Sequence, residues 1–399
     1  MTRVLFLSES FHPTLGGGEQ HILRLSRRLA ATGMPSLVLT RQAEPSWARE
    51  ETLADVRVLR VPPPGPGRSG KYKMVPRALR ALRRERRAYD VLVVRGTRVL
   101  GLPALLLARA LGKPVVMQPE VNGELSGEVY TWGRFANGSP WAKAVRGAVA
   151  VRNLWLRDAD VFVAMSREIA AELLRAGVPA QRVALIPHGV DLERFRPATP
   201  AERQELRTAL GLASSEIVVT YTGRLLRGKG LEDLLQAFVS SLPGEPALRL
   251  VIVGSGAGQS LSVEDDLRAR AALPPLAGRV VFTGHVADVA PYLRASDIFA
   301  FPSQFEGLGI SLVEAAACGL ACIGSRTGGI VDVIEHGRSG LLTEPGDVAG
   351  LTDAILRLAR DPGARAALGA EARAAARARF DEVAATEAYR ALFRELARA

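Results

Sequence analysis

Apolar positions along the chain recur with two periods. Short runs of aliphatic, largely β-branched residues at 4–7, 37–39, 91–94, 115–117 and 161–164 are separated by stretches of helical period. This alternation predicts a parallel sheet wrapped by helices. The pattern restarts at 217–221, 250–253, 280–283, 298–301 and 321–323, after the polar, Pro-bearing stretch Arg196-Pro197-Ala198-Thr199-Pro200. A second doubly wound α/β domain is expected from there, with the boundary near residues 188–200. Residues 361–399 are Ala- and Arg-rich and lack a strand, so they are expected to pack back across the junction. In open α/β sheets ligands bind at the C-terminal strand ends, and two such sheets facing each other would set two substrates across one cleft.

Length and composition fit this plan. The 399 residues, 48% hydrophobic and 23% charged, suit two domains rather than one large core. No apolar run approaches the roughly 18–20 residues that cross a bilayer, and the best candidate, 102–111, is short and holds Arg109. The apolar start ends at Ser8-Glu9-Ser10, too soon for a signal peptide, and reads as a first strand. A cytoplasmic protein with no transmembrane segment is expected. Cys318 and Cys322 lie in an Ala-rich helix-to-strand segment without nearby His or further Cys, and read as small buried residues rather than metal ligands.

Charge changes the picture because it is uneven. Residues 1–186 hold 29 Lys and Arg against 15 Asp and Glu, while residues 187–399 hold 23 against 26. The N-terminal half therefore carries the excess and is expected to meet something anionic: a membrane surface, a lipid phosphate, an acidic glycan or a nucleic acid. The excess concentrates at 60–109, where 13 Lys and Arg stand against Glu85 and Asp90. There Pro62-Pro63-Pro64-Gly65-Pro66-Gly67 breaks regular structure before the basic segment 71–87. Within it, 74–84 reads as a helix with an apolar stripe at Val75, Ala78, Leu79 and Leu82 beside a cationic face. The Pro/Gly stretch would let this helix stand away from the sheet and reach the anionic inner face of a cytoplasmic membrane, as a peripheral contact. Nucleic acid is not expected, since base stacking requires aromatic residues among the cations and only Tyr72 and Tyr89 occur between Arg60 and Arg109.

The most informative segment is Phe301-Pro302-Ser303-Gln304-Phe305-Glu306-Gly307-Leu308-Gly309-Ile310, continuing to Glu314. A strand ends near Pro302, a glycine-rich turn follows, and a helix beginning near Gly309 presents free N–H groups suited to a phosphate or sugar oxygen. Gly307 and Gly309 let the backbone itself approach a ligand. Taken alone, Glu306 and Glu314 could be an acid favouring the helix dipole and an ordinary surface residue. In this setting their spacing resembles the E-x7-E signature of retaining glycosyltransferases of family 4 (glycosyl transferases group 1).

Other segments resemble that family in order and position. Thr222-Gly223-Arg224-Leu225-Leu226-Arg227-Gly228-Lys229-Gly230 is similar to its G-R-x4-K-G loop, whose Arg and Lys neutralise a diphosphate on which charge accumulates as the glycosidic bond breaks. Gly16-Gly17-Gly18-Glu19 is similar to its first glycine-rich turn, and Ile186-Pro187-His188-Gly189-Val190-Asp191 to its hinge segment, with His for the commoner Asn. Val253-Gly254-Ser255-Gly256 matches a glycine turn after a strand, and Phe282-Thr283-Gly284-His285-Val286 the loop whose backbone reads the nucleotide base. The stretch 254–258 is no dinucleotide fingerprint, because the G-x-G-x-x-G pattern fails at Gln259. The resemblance covers almost the whole chain, strongest at 160–345 and thin at 40–140. Where the family carries a sugar-contacting His after the fourth strand, this chain reads Met117-Gln118-Pro119-Glu120, so Gln118 or Glu120 is a candidate substitute. His12 and His188 complete the acceptor-side candidates, although His12 and His21 read as lone structural residues.

The resemblance implies a GT-B architecture: two doubly wound Rossmann-like domains facing across a cleft. Residues 1–190 would bind the acceptor, 191–370 the nucleotide-sugar donor, and 371–399 form a helix crossing back. It further implies transfer of a hexose from a UDP- or GDP-sugar with retention of configuration to a glycan or lipid-linked acceptor. Glu306, Arg224 and Lys229 would be catalytic. Gly17, Gly18, Gly254, His285, Val286, Gly307, Leu308, Gly309, Ile310 and Glu314 would bind the donor, Glu314 through the ribose. No cofactor or metal is expected, because no Asp-x-Asp cluster is placed at the diphosphate and Asp265-Asp266 lie in a helical pattern. The rival readings are a nucleotide-sugar 2-epimerase on the same fold and a non-catalytic protein that binds anionic ligands.

Overall fold

The structure is a computed structural model that describes residues 1–13, 16–65, 69–131, 139–259 and 261–398. Pro66, Gly67 and Arg68 of the breaker segment, and Ala399, lie outside the described residues. The chain divides into two compact units, Met1–His188 with Val383–Ala399, and Gly189–Glu382.

The first unit is built on β1 (Val4–Leu7), β2 (Ser36–Arg41), β3 (Glu50–Leu53), β4 (Val56–Val61), β5 (Val91–Arg95), β6 (Val115–Gln118), β7 (Val161–Ala164) and β8 (Val183–Leu185). They form one sheet in the order β3-β4-β2-β1-β5-β6-β7-β8, parallel except for the β3–β4 pair. Strands β1, β5 and β6 are buried along their whole length, because helices cover both faces. Val4, Phe6, Val91 and Val93 pack with Ile22, Leu25 and Leu29 of the helix Gly17–Ala31 and with Tyr389 and Phe393 of the helix Glu382–Leu396.

The second unit holds β9 (Ile217–Thr222), β10 (Leu248–Val253), β11 (Val280–Gly284), β12 (Ile298–Phe301), β13 (Ala321–Ser325) and β14 (Leu341–Thr343), all parallel, in the order β11-β10-β9-β12-β13-β14. Sequence order reverses between β1 and β5 in the first sheet and between β9 and β12 in the second. Loops leaving such strand pairs diverge, which is where open α/β sheets accept ligands.

Three expectations are corrected. The segment that belongs to the first unit starts at Val383 rather than 371, because the helix Pro362–Arg379 packs on the helix Ile310–Ala317 of the second unit. The helix Ser69–Arg84 does not stand away from the sheet: it packs on β2 and β4, with Met74, Ala78, Ala81 and Leu82 buried and Val75 and Leu79 half-buried. Finally, two cations of the basic stretch 60–109 point inward. Arg60 is buried with Glu51 and the His12 carbonyl as partners, and Arg95 is buried beside Glu120.

Candidate functional site

At the switch point of the second sheet, β9 runs into the loop ending at Gly230 and β12 into the loop ending at Gly309. The two loops are fastened together. The Gln304 amide donates to the Gly228 carbonyl at 2.9 Å, and Lys229 Nζ lies 2.5 Å from Glu306 Oε1. Gly230 sits in the left-handed region at φ 68°, and a Cβ there would lie 2.0 Å from the Pro302 carbonyl oxygen, so only glycine fits. The Tyr221 hydroxyl donates to the Arg224 carbonyl at 3.2 Å, and burial, reinforced by the Glu306 carboxylate, pushes its phenol upward in pKa. Arg224 and Arg227 are exposed, whereas Lys229 and Glu306 keep only 21% and 12% of their side chains accessible. An ion pair this shielded is screened far less than one in open water.

Glu306 is also held through its backbone, by residues that the sequence reading missed. After β13, the Thr327 hydroxyl donates to the Gln304 carbonyl at 3.2 Å and the Gly329 amide to the Glu306 carbonyl at 3.3 Å. A Cβ on Gly328 would lie 2.1 Å from the Glu306 carbonyl oxygen, and one on Gly329 2.3 Å from that of Gly307. The only local signal was the Thr-Gly-Gly triplet in the loop a few residues past the apolar run 321–323. Gly309 caps the helix Ile310–Ala317 in the left-handed region, and Leu312 and Val313 donate to its carbonyl. The amides of Gly309, Ile310 and Ser311 precede that ladder and can serve an anion. Leu308 is buried, and so is Glu314, which removes the reading of it as an ordinary surface residue.

Beside these loops the ends of β9, β10 and β11 are knitted through glycines. The Gly223 amide donates to the Val253 carbonyl at 2.9 Å and the Gly254 amide to the Gly284 carbonyl at 3.0 Å. Gly254 stands at φ 135°, where a Cβ would lie 1.9 Å from the Gly223 carbonyl oxygen. Ser255 Oγ and the Gly256 amide both donate to Glu264, which fixes the turn. His285, next in the chain after Gly284, is exposed, and Val286 is half-buried. Asp265 and Asp266 are exposed in the first turn of the helix Glu264–Ala271. Among the described residues no three His, Cys, Asp or Glu side chains converge as metal ligands. Both cysteines are free and buried, and burial pushes the Cys318 thiol up to about 12.

In the first unit, Gly17 and Gly18 open the helix Gly17–Ala31. The Gly18 carbonyl accepts from Arg95 at 2.9 Å, and a Cβ on Gly18 would meet that guanidinium at 2.6 Å. Arg95, 3.2 Å from Glu120, thus ties the turn after β1 to the loop after β6. Glu120 keeps 34% of its side chain accessible, yet the dense protein around it desolvates the carboxyl and raises its pKa against the pull of Arg95. Two of the acceptor-side candidates lie inside the first unit. Gln118 is buried, donating to the Tyr389 hydroxyl at 2.9 Å and lying 3.4 Å from His188 Nε2. His188 is buried as well, stacked on His21 with ring centroids 3.7 Å apart. His21 is therefore not a lone residue. His12 is half-buried, with its carbonyl on Arg60.

Two doubly wound units with glycine-rich loops at their switch points define a GT-B α/β protein, and known proteins agree. Residues 15–194 match the family described as Glycosyltransferase Family 4, and residues 216–361 that described as Glycosyl transferases group 1. D-inositol 3-phosphate glycosyltransferase 1 of Catenulispora acidiphila is 30% identical over 368 residues, 90% of this chain and 85% of that protein. D-inositol 3-phosphate glycosyltransferase of Rhodococcus jostii is 32% identical over 272 residues, which span 62% of this chain and 60% of that protein's length. Sucrose-phosphate synthase from Thermosynechococcus elongatus is similar in structure, with a TM-score of 0.85 at 25% identity over 99% of each chain. The chain belongs to glycosyltransferase family 4.

Proposed function

We propose that this protein transfers a hexose from a UDP- or GDP-hexose to a glycan or lipid-linked acceptor with retention of configuration, in the synthesis of envelope polysaccharide or glycolipid. The observation that carries this reading is the Lys229–Glu306 pair at the switch point of the second sheet, flanked by exposed Arg224 and by the amides of Gly309, Ile310 and Ser311. The cations and amides suit a diphosphate. The shielded carboxylate suits the hydroxyls of the sugar next to it. The anomeric carbon–oxygen bond to the β-phosphate breaks, the acceptor oxygen bonds to that carbon from the same face, and its proton passes to the departing phosphate oxygen. Arg224 and Lys229 stabilise the charge that gathers there, so the reaction proceeds without a metal. Glu314 serves the ribose, and the turns at Gly254 and at His285-Val286 the base.

The relatives named above are called glycosyltransferases of D-inositol 3-phosphate, and a phosphorylated acceptor accords with a basic first unit. A lipid-linked acceptor accords with the exposed cations Lys73, Arg77, Arg80, Arg83 and Arg84, which suit the anionic inner face of a cytoplasmic membrane. Thermal unfolding in the presence of UDP- and GDP-hexoses tests donor binding, because a ligand held only by the native state raises the midpoint. At least one of them is expected to do so; no shift with any nucleotide sugar would contradict the proposal.

A further inference from the structure

The helix Pro140–Leu156 turns an apolar face to solvent. Trp141, Val151, Leu154 and Trp155 are 72, 60, 57 and 57% exposed, and Ala144 and Ala148 are exposed with them. The spacing 141, 144, 148, 151, 155 follows the helical period, so these residues make one stripe, roughly 20 Å long at the α-helical rise. The opposite side, through Ala142, Val149 and Leu156, is buried in the unit. Apolar side chains scattered singly on a surface need no partner, whereas a continuous stripe with a tryptophan at each end does.

Two observations select a bilayer as that partner. The stripe is shallow: between its tryptophans lie mainly Ala, Val and Leu, which offer no deep knob or pocket to a shaped protein surface. Tryptophan itself is amphipathic and gathers at the level of lipid headgroups. The second observation is charge. The helix carries no acidic residue and exposes Lys143 and Arg146. The helix Gly101–Ala110 packs against both this helix and the helix Ser69–Arg84. These three helices join β4 to β5, β5 to β6 and β6 to β7, successive steps in one direction along the sheet, so right-handed crossovers set them on one face. The cations of Ser69–Arg84, again without an acidic residue among them, therefore lie in the same layer as the tryptophan stripe. Apolar insertion beside cationic attraction is the pattern of an in-plane interfacial helix.

We propose that the helix Pro140–Leu156 beds in the headgroup region of a bilayer containing anionic lipid, tryptophan face down, while the cations of Ser69–Arg84 hold the surface. This deepens the membrane reading above from attraction to insertion, and rests on that reading for the sign of the lipid. The test is sedimentation of the full chain with phosphatidylcholine vesicles holding about a third phosphatidylglycerol, read together with tryptophan emission and quenching by brominated acyl chains. Binding is expected to bring a blue shift and quenching strongest for bromines near the headgroups. Trp141→Ser with Trp155→Ser should lower the partition coefficient at least about tenfold at an unchanged unfolding midpoint, since both side chains lie in water. Arg77, Arg80 and Arg84→Gln should weaken binding and its salt dependence but keep the blue shift at saturating lipid. Absence of binding at low salt, binding without quenching, or equal partition of the tryptophan variant would overturn the proposal. So would a dimer in sedimentation velocity that the tryptophan changes dissolve, because a second copy would then cover the stripe. Donor-induced thermal shifts on the same variants should match the unaltered protein, which separates failure here from failure of the donor site.

Discussion

The contact on which the functional reading turns is a single ion pair. Lys229 and Glu306 come from different loops, touch at 2.5 Å and are mostly shielded from water, so each holds the other in place before any donor arrives. Removing either leaves the partner's charge without its counterion, and in the proposed mechanism both serve one bound donor, so their effects should overlap. Glu306→Ala should lower kcat by roughly 100-fold or more while the fold persists, and Lys229→Ala should be similarly severe. The double variant should be little worse than either single one. Steady-state kinetics on the three variants check this, and strictly additive losses would mean that the two residues act apart. Both positions were legible in the sequence, because the spacing of Glu306 and Glu314 and the Arg-Lys loop each lie within one continuous stretch. The Thr327-Gly328-Gly329 turn that grips Glu306 from β13 was not, since its role exists only as a contact across the fold. The burial of Gln118 and His188 was not legible for a related reason: a pattern shows which residues end a strand, not that Tyr389, 271 positions away from Gln118, would draw the amide inward.

At the scale of elements, the stacked His21 and His188 join the helix Gly17–Ala31 to the end of the first unit's N-terminal segment. Burial is the main force lowering both pKa values well below the ordinary range, and Arg95 and Arg24 add to it, as does His188 on His21. His188 Nδ1 and His21 Nε2 are buried with no hydrogen-bond partner among the described residues, so an added proton would find no acceptor there. Folded, both rings stay neutral; unfolded, each protonates below about pH 6.5. The unfolded state then binds more protons, and stability falls as pH drops through that value, by roughly 1.4 kcal/mol per pH unit for each ring. Urea unfolding at several pH values between neutrality and mild acid should show this slope, and His188→Asn should reduce it; an unchanged slope would mean that the stack is not its source. The strands themselves read well wherever they are wholly buried. Strand β3 was missed because an edge strand of Glu50, Glu51 and Thr52 has no apolar run. Strand β4 was missed because Arg57 and Arg60 interrupt it, each neutralised by acids that lie elsewhere in the fold. Strands β8 and β14 are only three residues long.

For the molecule as a whole, two rounds of alternating strand and helix announced two doubly wound units, and the chain's membership of family 4 accords with that plan. The basic first half was equally visible as a charge count, but its division into inward-facing Arg60 and Arg95 and an outward cationic helix face required the fold. In the proposed mechanism the second unit carries nucleotide-sugar chemistry through fixed protein charges. The most direct measurement of this is release of nucleoside diphosphate from whichever UDP- or GDP-hexose stabilises the protein, followed with and without EDTA, for the unaltered chain and for Glu306→Ala. Turnover is expected to persist in EDTA and to fall by roughly two orders of magnitude or more in Glu306→Ala at unchanged fold. Turnover that EDTA abolishes and Mg2+ restores, or a Glu306→Ala variant as fast as the unaltered protein, would contradict the mechanism.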